Sequence, residues 1–258
     1  MNLFNKRFFI HFIHSKAAEQ KTTMESKNQE IEIPYFWKQN RARWKHPFGM
    51  RVVGPTQVGK THFVMNILQD CQQLIAPAPT KIYWAFGEKN ETQMKTIQQM
   101  SPLPVHFIEG IPDATEFTSD ENNLLILDDL MSDSANSKIV SNLFTRASHH
   151  RNMSVILMLQ NLFPKGTALR DVGLNSMYDI IFANTHDMGQ IKLIARKLFP
   201  ENPAYFIDAF EQATSIPHGC LQVSYDPATP RDLRLSSGFF PPQIPLFYIP
   251  KKPLTTRK

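Results

Sequence analysis

Gly54-Pro55-Thr56-Gln57-Val58-Gly59-Lys60-Thr61 fits the spacing G-x-x-x-x-G-K-[ST], which suits a loop that holds the phosphates of a nucleotide. Each residue type has a physical reason. Gly54 and Gly59 permit backbone angles that turn amide donors onto a phosphate, and Pro55, Thr56, Gln57 and Val58 form the turn between them. Lys60 brings a point charge to the β- and γ-phosphates, and the Thr61 hydroxyl suits a Mg2+ ion. A helix starting at Lys60 would add its own partial positive charge. ATP with Mg2+ is the implied ligand pair. The competing explanation is a strand–turn–helix with no ligand; the apolar run Met50–Val53 before the loop and the helical pattern after it weigh against that.

A second set of candidates follows an apolar run. Leu124–Leu127 leads into Asp128-Asp129, 68 residues after Lys60, which leaves room for a helix, a strand and a second crossover. Asp128 suits a carboxylate that holds Mg2+ through water, and Asp129 suits one that orients or deprotonates the attacking water. Adjacent residues at a strand end point in different directions, so they can take distinct roles. Ser154–Leu159 is another apolar run, ending in Gln160 and Asn161. An amide at that position can sense a γ-phosphate or the attacking water, and Gln160 is the favoured residue. Arg146 and Arg151 lie between the two runs and are candidates for a positive charge donated to a neighbouring subunit's site, with Arg170 a weaker one.

These residues need a scaffold that gathers strand ends. From residue 50 onward short apolar runs alternate with helical patterns, as in a parallel sheet covered on both faces. The expected strands are Met50–Val53, Ile82–Phe86, Leu124–Leu127, Val155–Leu159 and Ile180–Ala183, with Val105–Ile108 at an edge. The expected helices are Lys60–Cys71, Ser137–His150, Gln190–Leu198 and Ala204–Ala213. Leu221–Tyr225 and Leu233–Leu235 predict a terminal hairpin around Asp226–Pro230. The fold class is therefore α/β, with a mostly parallel sheet, helices on both faces and a C-terminal hairpin.

Charge is distributed unevenly along the chain. The net +5 divides into +3 over residues 1–27, −2 over 28–35, +5 over 36–51, −5 over 52–250 and +4 over 251–258. A mildly acidic middle flanked by basic ends is unlike a wholly basic nucleic-acid coat. In the basic segment 36–51, Trp37 and Trp44 interleave with Lys38, Arg41, Arg43 and Lys45. That segment suits either contact with a phosphate backbone, or a lid whose aromatics pack on the core. No run of eighteen apolar residues exists, so no membrane span is expected. Two cysteines, Cys71 and Cys220, support neither a disulfide framework nor a zinc site, and a reducing compartment is the default.

Taken together, GPTQVGKT (54–61), LLILDDLM (124–131), RASHHRNMSVILMLQNLF (146–163) and NSMYDIIFAN (175–184) with QIKLIARKLFP (190–200) resemble the viral genome-packaging ATPases of the FtsK–HerA superfamily. The likeness is greatest to the poxvirus-type branch of Maverick/Polinton elements and adintoviruses, and it covers about residues 48–240. The resemblance implies a RecA-like P-loop NTPase core with an extra strand between the phosphate-loop and carboxylate strands. It also implies assembly into a ring, as a hexamer, and ATP-driven translocation of double-stranded DNA into a preformed capsid. Double-stranded DNA, a capsid or portal-vertex protein and copies of the chain itself are then the implied partners. One departure is Asp129, where cellular members usually carry Glu.

The expected division is a flexible extension over 1–30, an ATPase domain over 31–240 and a Pro-rich basic tail over 241–258. The N-terminal run lacks a small-residue cleavage site and does not suit a secretory signal. The expected location is intracellular, in a host nucleus or a cytoplasmic viral replication site, with virion association an option. A DNA-binding switch driven by nucleotide, another P-loop ATPase without a packaging role, and a small P-loop kinase are the competing functions.

Overall fold

The computed structural model describes residues 9–12, 44–128, 130, 138–147, 151–164, 167–184, 187–243 and 245–250. Among these, twelve strands follow the chain order β1 (Phe9–Phe12), β2 (Trp44–Lys45), β3 (Gly49–Val53), β4 (Ile75–Ala76), β5 (Lys81–Phe86), β6 (Val105–Glu109), β7 (Asn123–Asp128), β8 (Met153–Leu159), β9 (Tyr178–Phe182), β10 (Cys220–Ser224), β11 (Leu235–Ser237) and β12 (Leu246–Ile249). The main sheet runs β1-β12-β11-β10-β9-β3-β8-β7-β5-β6. From β9 to β6 every neighbouring pair is parallel. All five long strands expected from apolar runs are present, and Val105–Glu109 takes the edge position assigned to it. Strand β8 lies between β3 and β7, so the expected extra strand separates the phosphate loop from the carboxylates.

Continuous apolar runs give strands buried on both sides because their alternate residues enter two different cores. Leu125 and Leu127 of β7, with Val155, Leu157 and Leu159 of β8, belong to one. Leu124, Ile126, Ile156 and Met158 belong to the other. Helices α1 (Lys60–Gln69) and α2 (Glu91–Met100) supply Phe63, Val64, Ile67, Leu68 and Ile97 to the second core. The first is covered by α3 (Lys138–Asn142), α4 (Thr167–Asn175), α5 (Met188–Leu198) and α6 (Pro203–Ala213). The fold is α/β, with helices on both faces of a mostly parallel sheet.

Several expected elements differ in detail. The first helix stops at Gln69, and Cys71–Leu74 makes a separate short turn. The helix expected over 137–150 is α-helical only from Lys138 to Asn142, then widens into a π-helical stretch over Leu143–Ala147. Val140 of the α-helical part and Leu143 and Phe144 of the wider turn face inward, and Ile139 remains 37% exposed. The hairpin forms, but its second strand starts at Leu235 because Arg231–Leu233 is taken up by a 3-10 turn.

Strands also form before residue 31 and after residue 240. Leu246–Ile249 pairs antiparallel with β11, and Phe9–Phe12 pairs parallel with Leu246–Ile249, so both ends add strands to the domain's sheet. The reason is local composition: Leu246-Phe-Tyr-Ile is apolar and strand-prone, and Pro245 and Pro250 bracket it without interrupting its ladder. No helix among the described residues is long and apolar enough to cross a membrane.

At the centre of the sheet, all five residues of β3 are buried, including Arg51. Its guanidinium donates through Nε to Asp179 Oδ1 at 2.7 Å and through Nη2 to Asp179 Oδ2, and through Nη1 to the Leu162 carbonyl at 3.2 Å. The Tyr225 hydroxyl donates to the same carboxylate at 2.8 Å. Burial pulls the Arg51 pKa down, but the facing Asp179 more than restores it, so the net shift is upward. Arg51 ends the basic segment considered for DNA contact, and this burial removes it from that role. Trp44 is removed as well: it is 1% exposed and its Nε1 donates to Gln222 Oε1 at 2.7 Å. It packs against Phe48 and Phe239, as in the core-packing alternative. Residues 36–43 of that segment lie outside the described residues.

Two stability predictions follow from these buried groups. Arg51→Met leaves Asp179 buried and unpaired and should cost about 3–5 kcal/mol in urea unfolding, whereas Arg51→Met with Asp179→Leu should recover most of the loss. Equal losses in the single and double variants would show that the charge pairing is irrelevant. The second concerns His46, which is buried, with Nδ1 2.6 Å from Ser154 Oγ and Nε2 3.1 Å from Asn152 Oδ1. Burial holds its pKa below the ordinary imidazole value. An unfolded His takes a proton at about 6.5. Stability should therefore decline as pH falls from about 6.5 toward the lowered folded value, because only the unfolded chain binds the proton there. His46→Gln should flatten that decline in denaturation series run at pH values on either side of this window, and an unchanged slope would rule His46 out.

Candidate functional site

Strand β3 runs directly into the phosphate loop, and α1 starts at Lys60 as expected. The Gly54 amide donates to the Leu159 carbonyl at 3.1 Å, which ties the start of the loop to the end of β8. A side chain at Gly54 would meet Phe182 Cβ at 2.7 Å and Val58 Cγ2 at 2.9 Å, so the loop passes β9 too closely for any other residue. Gly59 has φ 103°, a left-handed conformation that glycine adopts without steric cost. No side chain caps α1, so its first amide groups face the loop and suit an anion. The Lys60 ammonium donates to the Gly54 and Pro55 carbonyls at 2.7 Å each, which holds the charge against the loop.

A cavity of about 720 Å3 lies over this loop. Thr56, Gln57, Gly59, Lys60 and Thr61 border it on one side, with Asp128 and Gln160 at the ends of β7 and β8. Its volume falls within the range of small-molecule sites. Three segments far apart in sequence thus meet at the C-terminal ends of three adjacent parallel strands, where open α/β sheets bind ligands. Thr61 and Asp128 border the same space, which fits a divalent cation held between a hydroxyl and a carboxylate.

Not every expected residue is brought to the cavity. Asp129 lies outside the described residues, and Arg146 lies in the π-helical stretch with its side chain outside them. Arg151 precedes β8, whose seven residues span about 23 Å, so it stands at the opposite end of the sheet from its own chain's phosphate loop. Its carbonyl accepts from Asn123 Nδ2 at 3.0 Å. Arg170 lies on α4, exposed.

The structure adds residues that sequence reasoning missed. Gln93, on α2, donates through Nε2 to Asp128 Oδ2 at 3.0 Å. Glu88 and Asn90, in the loop after β5, border the same cavity. Nothing pointed to α2, because Ile97 is its one buried side chain and the remainder reads as a polar stretch. Its start was legible in retrospect: Asn90 caps it, accepting from the Gln93 amide at 3.0 Å. His218 is a further addition, with Nδ1 2.9 Å from the Val58 carbonyl. No residue pattern signals a contact spanning 160 positions.

The chain matches no protein-family model and none of the curated proteins compared with it. Its structure is similar to that of the genome packaging NTPase B204 from Sulfolobus turreted icosahedral virus 2 in complex with AMP, at 11% identity and TM-score 0.46, covering 71% of this chain and 95% of that one. B204, the DNA-packaging ATPase from Sulfolobus turreted icosahedral virus, matches at 10% identity and TM-score 0.48 over 71% of this chain and 96% of that one. The flagellar accessory protein FlaH from Methanocaldococcus jannaschii matches at 10% identity and TM-score 0.41, over 56% and 75% respectively. At such scores neither an activity nor a partner passes from those proteins to this chain.

Proposed function

We propose that the chain is a Mg2+-dependent ATP hydrolase that works as a ring-forming motor on double-stranded DNA, packaging a viral or virus-derived genome into a capsid. The observation that carries the hydrolase part is the convergence of the phosphate loop, Asp128 and Gln160 on one cavity at the ends of β3, β7 and β8. The loop amides, the start of α1 and Lys60 hold the phosphates and concentrate positive charge where negative charge develops during transfer. Thr61 and Asp128 would hold the Mg2+ ion, which when bound neutralises charge on the phosphates. Gln93 keeps the Asp128 carboxylate oriented through its amide. Asp129 follows Asp128 directly and takes the role of aligning or deprotonating the attacking water, and Gln160 takes that of hydrogen-bonding the terminal phosphate.

The motor part rests on the resemblance of the four sequence segments and on where charge lies. Strands β1 and β12 run antiparallel to β3, since β12 is three antiparallel pairings removed from β9. The chain therefore leaves β12 toward residues 251–258, which carry four lysines and arginines, at the end of the sheet opposite the phosphate loop. Lys45, just before β3, and Arg151, just before β8, stand at that same end. A phosphate backbone gripped there would not compete with nucleotide for the loop. Arg151 and Arg146 are the candidates to serve a neighbouring subunit's site. A hexameric ring, a capsid or portal-vertex partner and a place in the nucleus or a cytoplasmic replication site complete the proposal.

Double-stranded DNA should raise ATP turnover severalfold, and Lys60→Ala should abolish turnover with or without DNA. Turnover that is indifferent to DNA across a range of salt would remove the motor part, and turnover surviving Lys60→Ala would remove the site. Gln93→Leu deletes one hydrogen bond to a charged group, worth about 1.5–3 kcal/mol. It should raise the Mg2+ concentration for half-maximal turnover roughly tenfold and leave metal-free binding of tripolyphosphate unchanged. An unaltered Mg2+ dependence would show that Gln93 does not position Asp128.

A further inference from the structure

Helix α5 presents a basic outer face with apolar residues set into it. Ile191, Ile194 and Ala195 turn into the core, and Lys192, Leu193, Arg196 and Lys197 are exposed. Residues 192 and 196, like 193 and 197, stand four apart, so the four side chains make one continuous surface. No acid interrupts it along the helix. Leu193 is 43% exposed, and Phe163, from the segment after β8, is 37% exposed. The Lys197 ammonium stands 4.6 Å from the centre of the Phe163 ring. Phe163 is held in place by the start of α5, where the Gln190 side chain accepts from the Leu162 amide at 2.7 Å and the Phe163 amide at 3.4 Å. Exposed apolar side chains rimmed by cations suit docking against an acidic protein surface.

The same chain carries the opposite charge at one edge of its sheet. Residues 96–137 hold eight acids and no lysine or arginine. Among them, Glu109 ends the edge strand β6, and Asp113, Glu116 and Asp120 follow in the loop toward β7, all four exposed. This loop holds its own shape. The Asp113 carboxylate accepts from the Thr115 amide at 2.9 Å, the Glu116 carboxylate accepts from the Asp113 amide at 2.8 Å, and Phe117 is buried in the core. Among the described residues, neither these four acids nor the three α5 cations take part in an ion pair. Strand β9, which leads into α5, is separated from β6 by β3, β8, β7 and β5, a distance of about 24 Å. Helix α5 packs on α6, which lies on β10 and β11, further still from that edge. The two charged surfaces therefore cannot meet within one chain.

We propose that they meet between copies: the outer face of α5 on one chain docks against the acidic β6 edge of the next. The inference rests on the ring-forming reading and names the surfaces that join its subunits. Because the two surfaces differ, the contact is head-to-tail, and its repetition can close a ring. Duplex DNA would match the cations alone. A second copy matches the cations with its acids and also covers Phe163 and Leu193.

Sedimentation of the full chain across a range of salt tests the contact. The wild-type chain should assemble, and assembly should weaken as salt rises. Reversing the α5 face with Lys192→Glu, Arg196→Glu and Lys197→Glu should leave monomers. Reversing the edge with Glu109→Lys, Glu116→Lys and Asp120→Lys should do the same. Mixed in equal amounts, the two variants should reassemble, because each then meets opposite charge on both sides. Cooperative thermal unfolding of each variant alone shows that its loss of assembly is not a loss of fold. Assembly that survives either reversal, or folded variants that stay monomeric when mixed, would overturn the interface and leave the ring to other surfaces. An α5 reversal that still assembles but no longer binds duplex DNA would overturn it in favour of DNA on that face. A wild-type chain that stays monomeric with ATP and DNA present would remove the ring reading, and the interface with it.

Discussion

The ion pair between Arg51 and Asp179 fixes the geometry on which the cavity depends. It sits within β3, two residues from the strand's end and three before Gly54, and joins that strand to β9. The same guanidinium holds the Leu162 carbonyl, and the Gln190 side chain accepts from the Leu162 amide at 2.7 Å. The segment just after Gln160 is therefore held through both the amide and the carbonyl of one residue. A buried arginine is costly to desolvate, and its attraction to a buried carboxylate offsets that cost only with well-formed hydrogen bonds. Here both carboxylate oxygens are used, and Tyr225 adds a third donor to the same group.

With these strands aligned, strand order sets the spacing of the chemistry. Neighbouring strands lie about 4.8 Å apart, so β3 and β7 are separated by about 10 Å with β8 between them. Lysine and carboxylate thus approach from opposite sides of a space wide enough for a phosphoryl group, a cation and a water. The intervening strand delivers Gln160 into the middle of that space. Were β7 adjacent to β3, Asp128 and Lys60 would fall close enough to pair with each other, and a third residue would have no place to enter.

Much of this was legible in the sequence because parallel strands buried on both faces are written as unbroken apolar runs, and because the loop spacing is chemically demanding. Leu124–Asp128 and Val155–Gln160 announce both a strand and the polar residue at its tip. The parts that were not legible lack any such coupling. Gln93 reaches Asp128 from a helix with one buried residue, and His218 reaches Val58 from a turn whose sequence serves its own packing. Arg51 read as part of a basic stretch because charge along a chain says nothing about which face of a strand is covered. Phe9–Phe12 and Leu246–Ile249 are each short: the second extends the ladder of β11, and the first extends that of the second.

That pairing bears on the charge distribution. If the basic ends were simple extensions, their positions relative to the nucleotide would be arbitrary. Pairing β1 with β12 in parallel places Phe12 beside Ile249, at the sheet end remote from the loop. The ends of β1 and β12 therefore lie across the sheet from Lys60. That separation is a consequence of strand direction, and the net charge of the chain carries no trace of it.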